Sequence, residues 1–277
     1  MTQHFQRPGD PLFTQRTPRV VAAVKLHRRR DREKAGRFLA EGPQAVREAL
    51  EAGAVREIFV TEDGRARHRT LLRGATFSVV TDEAMQSLAD TVTPQGVIAV
   101  CDLLDVPLEA ALARAPRLVA VAVEIRDPGN AGTVLRTADA AGATAVIFAG
   151  DAVDPFNPKC VRASAGSLFH LDVVRAPDAA ATLAALREAG LRTLATSGYG
   201  ATDLDDLADD GSLAQPTAWL FGSEAHGLPD ELRDAADAAV RVPIHGRAES
   251  LNLAAAAAVC LYASARAQRR LTEPRPA

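Results

Sequence analysis

Lysine is nearly missing from this chain: among 277 residues only Lys25, Lys34 and Lys159 occur. Arginine takes its place and alanine is abundant, a pattern set by base composition, so arginine richness alone does not mark a nucleic-acid binder. The net charge of −3 excludes a uniformly basic coat. Aromatic residues make up 4%, and Phe38, Phe59 and Phe77 are thinly interleaved with the basic segments, so base stacking is not the obvious mode of any nucleic-acid contact. Cys101, Cys160 and Cys260 are far apart and form no ligand pair. That excludes a disulfide framework and a zinc site, predicts no metal, and fits a reducing cytoplasm. The longest apolar stretch, about 253–263, is too short and alanine-rich to span a bilayer, and Met1 to Pro8 carries no apolar signal-peptide core. A soluble, cytoplasmic protein without membrane contact is expected. No GxGxxG follows any predicted strand, so a dinucleotide enzyme of the Rossmann type, otherwise suggested by the αβ alternation after Gly142, lacks its phosphate loop.

What is present is unevenly placed. Between Lys25 and Arg37 seven basic residues (25, 28, 29, 30, 32, 34 and 37) stand against two acidic ones, and Arg65, Arg67, His68, Arg69 and Arg73 form a second cluster. Local patches on a near-neutral chain suit phosphate contact; a solvated helix face is the competing reading. Lys25, Arg28, Arg29, Arg30, Arg32, Arg65 and Arg69 are the candidates.

At this length two domains are expected. Residues 1–18, with Pro8, Pro11 and Pro18, read as a mobile arm. A helix over 20–30 precedes strands at 37–41, 57–60, 76–80 and 96–101. Helices at 44–52, 65–73 and 82–89, the last capped by Asp82, alternate with them and make 19–105 a small α/β domain. Residues 106–116 read as a helical linker. The second domain, 117–277, opens on Leu118-Val119-Ala120-Val121-Ala122-Val123, an unbroken apolar run that implies a parallel strand buried on both faces. Strands follow at 145–149, 171–174, 192–196, 218–221 and 240–243, with helices at 131–141, 159–166, 178–189 and 251–269.

Three segments of this half carry chemistry. Asp127-Pro128-Gly129-Asn130-Ala131-Gly132 follows a buried strand and opens a helix, where free N–H groups collect. Asn130 is placed to cap it, and Arg136 lies nearly two turns on. A capped helix with a surface-paired arginine explains the same residues. Phe221-Gly222-Ser223-Glu224-Ala225-His226-Gly227-Leu228-Pro229 turns at a strand's C-terminal edge, where glycine lets a ligand approach the backbone; a plain connector is the alternative. Val242-Pro243-Ile244 ends a strand at a proline that cannot serve a central ladder. Ser250-Leu251-Asn252-Leu253-Ala254 then starts the last helix, with Ser250 as the expected N-cap and Asn252 in the first turn.

In this order and spacing the three segments resemble the motifs of the SpoU (TrmH) family of RNA 2′-O-ribose methyltransferases, across about residues 117–270. Phe38-Leu39-Ala40-Glu41-Gly42-Pro43 resembles the start of the substrate-binding domain that precedes it in many members. The resemblance implies a parallel α/β sheet closed by a deep trefoil knot, a homodimer, and S-adenosylmethionine (SAM) as cofactor. It implies Arg136 as the central catalytic residue, with Asn130, Glu224, Ser250 and Asn252 around it. Gly222, Val242, Ile244 and Leu251 are implied to hold the adenosyl group, and Thr196, Ser197 and Gly198, which follow a strand, are expected to form another wall of its site. A guanidinium is a very weak base, so Arg136 either is strongly perturbed or works by orientation and charge; the residues leave both open. The basic patches would hold structured RNA, ribosomal (23S-type) before tRNA. A non-catalytic RNA binder would not need all of Asn130, Arg136, Glu224 and Asn252.

Overall fold

The structure, a computed structural model, describes residues 10–272. In chain order its elements are α1 (Pro18–Val24), α2 (Arg29–Ala35), β1 (Arg37–Glu41), α3 (Pro43–Glu51), β2 (Val55–Val60), α4 (Glu62–Arg67), β3 (Ser78–Val79), α5 (Asp82–Leu88), β4 (Val97–Asp102), α6 (Leu108–Leu112), β5 (Leu118–Val123), α7 (Pro128–Ala141), β6 (Ala145–Ala149), α8 (Pro158–Ala163), β7 (Asp172–Ala176), α9 (Ala179–Glu188), β8 (Arg192–Thr196), β9 (Thr202–Asp203), α10 (Leu204–Asp209), β10 (Thr217–Phe221), α11 (Asp230–Ala235), β11 (Ala238–Arg241) and α12 (Leu253–Thr272). They form two compact units. Among the described residues, the first holds those up to Leu104 together with Phe156–Phe169; the second holds Asp105–Pro155 and those from His170 on.

The first unit is built on a four-stranded sheet in the order β1-β4-β2-β3, with β4 antiparallel to both neighbours and β3 parallel to β2. Its core joins Leu39, Phe59, Ile98 and Val100 to Val20, Leu26, Met85 and Leu88 from the helices. The helix read over 20–30 is broken. Leu26 is drawn into this core, Arg28 is extended at φ −95°, ψ 132°, and a 3-10 turn covers Lys25–His27. The carbonyls orphaned at that break are met by Arg32, which is 2% exposed and donates from Nη1 to Leu26 O and His27 O, each at 2.9 Å. Thr81, not Asp82, caps α5, its Oγ1 accepting from Ala84 N. Residues 1–9 of the expected arm lie outside the described residues. The remainder is tied down, because Phe13 N donates to Val79 O and Thr81 N donates to Phe13 O, both at 2.9 Å.

Residues 156–169, read from sequence with the second half, pack on this first sheet. Phe156 and Phe169 contact the Phe38 ring at centroid distances of 5.0 and 5.9 Å. Gln44 Nε2 donates to Ala165 O, and Arg162 pairs with Asp90 at 2.7 Å. A segment with two aromatic anchors goes where its rings are covered, whatever its place in the chain.

The second unit is a seven-stranded sheet, parallel throughout, in the order β7-β6-β5-β10-β8-β11-β9. All six residues of β5 are buried, as its unbroken apolar run requires. Trp219 on β10 is fully buried and satisfies its indole N–H on Ser264 Oγ of α12 at 2.9 Å. Among the described residues no helix is long and apolar enough to cross a membrane.

Candidate active site

Parallel strands end on one edge of their sheet, and open α/β sheets bind ligands at that edge. There β5 leads to α7, β8 to a turn at 197–200, β10 to the loop at 222–228, and β11 to the loop at 242–252.

Asp127, not Asn130, caps α7: its Oδ1 accepts from Asn130 N at 2.8 Å, and Pro128 takes the first helical turn. The Asp-Pro pair was the legible signal for this cap. The Asn130 side chain is thereby available to other segments. It donates from Nδ2 to Glu224 Oε1 at 2.7 Å. A carboxylate can only accept, so Asn130 turns its Oδ1 the other way, where Asn252 Nδ2 donates to it at 3.2 Å. Asn252 Oδ1 in turn accepts from Ala254 N at 2.9 Å and Ala255 N at 3.4 Å. Asn252 therefore caps α12 in place of the expected Ser250, which is exposed and outside this network. The three motifs meet in one directional relay, running from the α12 amides through two asparagines to the Glu224 carboxylate. Asn252→Ala removes the cap and one partner of Asn130. The expected cost is about 1 kcal/mol, a fall in Tm of about 2–4 °C for a chain of this size, which calorimetry will read.

Arg136 is exposed on α7 and makes no hydrogen bond or ion pair among the described residues. Glu124, between β5 and α7, holds φ +52°, unusual for a residue with a side chain; no compositional signal foretold it.

The residues read as cofactor-binding fall on the same edge. Thr196 Oγ1 is spent on Leu220 O at 2.9 Å. Ser197 Oγ accepts from Tyr199 N at 3.3 Å, and Gly198 faces open space. The turn itself requires glycine at 222, because a Cβ there would lie 2.1 Å from Gly227 C. The loop folds back on itself, with Gly227 N donating to Ser223 O at 2.8 Å and Ser223 N to Gly227 O at 3.0 Å. Val242 is half-buried, while Ile244 and Leu251 are 38% and 39% exposed, an uncovered apolar wall in an otherwise polar loop. Apolar side chains beside strand-end backbone groups fit an adenosyl moiety. Among the described residues no cluster of His, Cys, Asp or Glu is arranged to hold a metal ion.

The basic residues belong to the first unit. Lys25, Arg28, Arg30 and Arg69 are exposed without a described partner. Arg29 pairs with Glu33 at 2.9 Å and Arg65 with Glu62 at 2.8 Å, both at the surface. Arg32 does not belong with them. It is buried on the Leu26 and His27 carbonyls, a use of arginine that charge counting does not reveal.

The SpoU rRNA methylase family profile matches residues 117–262, and that of the MRM3-like substrate binding domain matches residues 17–99. The chain belongs to the SpoU rRNA methylase family. It is 35% identical to the 23S rRNA (guanosine(2553)-2′-O)-methyltransferase RlmP of Bacillus subtilis over 86% of this chain and 92% of that protein. Identity to the 23S rRNA (uridine(2479)-2′-O)-methyltransferase of Streptomyces viridochromogenes is 34%, over 87% of this chain and 86% of that one. The crystal structure of the SpoU methyltransferase AviRb from Streptomyces viridochromogenes, in complex with AdoMet, superposes with a TM-score of 0.80 at 33% identity, over 94% of this chain and all of that one. In this SpoU chain the relay joins Asn130, Glu224 and Asn252, one residue from each of the three motif segments.

Proposed function

We propose that this SpoU chain is a SAM-dependent methyltransferase that modifies a ribose 2′-hydroxyl in structured RNA, 23S-type ribosomal RNA first. The observation that carries the proposal is Asn130, held between Glu224 and Asn252, which brings all three motifs to one strand edge. SAM would supply an electrophilic methyl group; Gly198, Val242, Ile244 and Leu251, with the Gly222 turn, would hold its adenosyl part. A ribose hydroxyl is a poor nucleophile and needs alignment and removal of its proton. Arg136, with no partner among the described residues to satisfy it, presents donors and positive charge to the 2′-oxygen and a neighbouring phosphate. The relay fixes Glu224 and Asn130 beside the reacting ribose; Ser250 is a further polar group on that loop.

The first unit would select the RNA, consistent with its match to a substrate-binding domain. Two copies of the chain would form a dimer through α12, where Val259 and Tyr262, three residues apart, are 43% and 47% exposed. The trefoil knot and a cytoplasmic location, suited to three buried free thiols, belong to the same reading.

Transfer of label from SAM to ribosomal RNA and to tRNA tests the reading. Recovery of 2′-O-methylated nucleotides from ribosomal RNA is the expected result. Incorporation into tRNA alone would reassign the substrate, and SAM binding without transfer to either would mark a non-catalytic binder. The salt dependence of RNA binding tests the patch. Arg28→Ala with Arg30→Ala is expected to weaken binding across RNA sequences and to lower the slope of log Kd against log salt by about 1 per arginine.

A further inference from the structure

The chain has two tyrosines, and one of them, Tyr199, is 100% exposed. It makes no ring contact, and its hydroxyl has no partner among the described residues. Its backbone is held firmly nonetheless. Ser197 N donates to Val240 O at 2.9 Å, Gly200 N to Ser197 O at 3.1 Å, and Tyr199 N to Ser197 Oγ at 3.3 Å. Ser197 to Gly200 is therefore a closed β-turn with Tyr199 at its third position. Gly200 lies so close to β11 that a Cβ there would be 2.6 Å from Ala239 O, and Arg241 Nη1 donates to Gly200 O at 3.2 Å. Gly198 on the other flank faces open space.

The position of this turn gives the ring its meaning. It springs from β8, which lies between β10 and β11 in the sheet. Those two strands lead into the Glu224 and Asn252 loops, so the tyrosine stands at the same edge as the relay. Of the aromatics near the basic residues, Phe38 and Phe59 are fully buried in the first unit's core and Phe77 is half-buried, so none of the three presents its whole ring as Tyr199 does.

A large ring left wholly in water on a braced turn gains free energy when a partner covers it, and a flat partner covers most of one face at once. An unstacked nucleobase is such a partner, and single-stranded RNA is read largely by stacking its splayed bases on aromatic rings. We infer that Tyr199 stacks on an unpaired base of the RNA substrate beside the ribose to be methylated, making it a specificity residue of the transfer site. This inference rests on the RNA methyltransferase reading above.

Tyr199→Ala and Tyr199→Phe test it, using in-vitro-transcribed 23S rRNA and tRNA as probes. For whichever RNA the wild type methylates, Tyr199→Ala is expected to raise the Kd about five- to a hundredfold, the range found when a stacking ring is truncated. Tyr199→Phe, which keeps the ring, is expected to stay within about twofold. SAM affinity by calorimetry, Tm and sedimentation mass should be unchanged, and kcat at saturating RNA largely retained. Equal RNA affinity of the alanine variant and the wild type would overturn the inference. So would an effect confined to SAM affinity, which would give the ring to the cofactor's adenine, or a changed oligomeric mass, which would give it to a second copy. Failure of the wild type to methylate ribosomal RNA is a separate result and bears on the substrate class, not on Tyr199.

Discussion

Arg136→Ala is expected to lose methyl transfer by about 10²–10⁴-fold, the scale on which a donor or proton-handling group in a transition state acts. Protein stability and SAM affinity should barely change. Arg136 props up nothing in the fold around it. It is exposed and has no partner among the described residues, so its removal leaves no buried group unsatisfied and opens no cavity. Surface substitutions of that kind usually shift stability by about 0.5 kcal/mol or less. A structural arginine paired with a carboxylate would behave otherwise, costing Tm as well as rate. Single-turnover transfer with excess enzyme, run beside calorimetric SAM titration and thermal melting, separates the two cases. Normal methylation by this variant would remove Arg136 from the mechanism.

Gly222→Ala is expected to damage the same site by the opposite route, through the backbone. The new Cβ would lie 2.1, 2.2 and 2.3 Å from Gly227 C, Leu228 N and Gly227 O. None of these is a flexible side chain that could swing aside. The turn must open, and Leu228 and Leu232, anchored in the second unit's core at 7% and 8% exposure, resist that movement. Overpacking of this sort costs about 1–3 kcal/mol, a fall in Tm of about 3–10 °C at this chain length. Because Glu224 rides on the turn, its hydrogen bond with Asn130 should be lost, and SAM binding and transfer with it. Gly198→Ala is the control: nothing lies within 4 Å of its Cβ position, so its Tm should stay near wild type. Equal melting temperatures for the two variants would refute this account of Gly222.

Which parts of this were legible in the chain follows from the range of the interactions involved. The strand at Leu118–Val123 was plain, because burial on both faces demands an unbroken apolar run. The motif strings were plain too, because Asn130, Glu224 and Asn252 each stand beside a strand end or a helix start. The caps of α7 and α12 were read two or three residues off. Asn130 and Ser250 are good capping residues by type, but Asp127 and Asn252 win by geometry, and only then is Asn130 left to bridge the other two motifs. Arg32 was read as surface charge because residue counting cannot see that the broken helix at Arg28 creates carbonyls for it to satisfy. Short elements such as β9, α10 and α11 went unseen, since six or fewer residues carry too little periodicity. Tyr199 was passed over for a similar reason: a lone aromatic between two glycines has no pattern, and its exposure is a property of the fold.

The placement of Phe156–Phe169 in the first unit has a consequence for the newborn chain. Domains usually fold from the N-terminus as they leave the ribosome, at about 5–20 residues per second. Here the first unit cannot finish in that order. Gln44 waits for Ala165, 121 residues later, and the Phe38 ring waits for Phe156 and Phe169, while β5 and β6 of the other unit are made in between. For several seconds the emerging sheet carries an uncovered aromatic face. A ribosome stalled after β4 has emerged but before Phe156–Phe169 has would hold it in that state, open to chaperones and proteases until the late segment arrives.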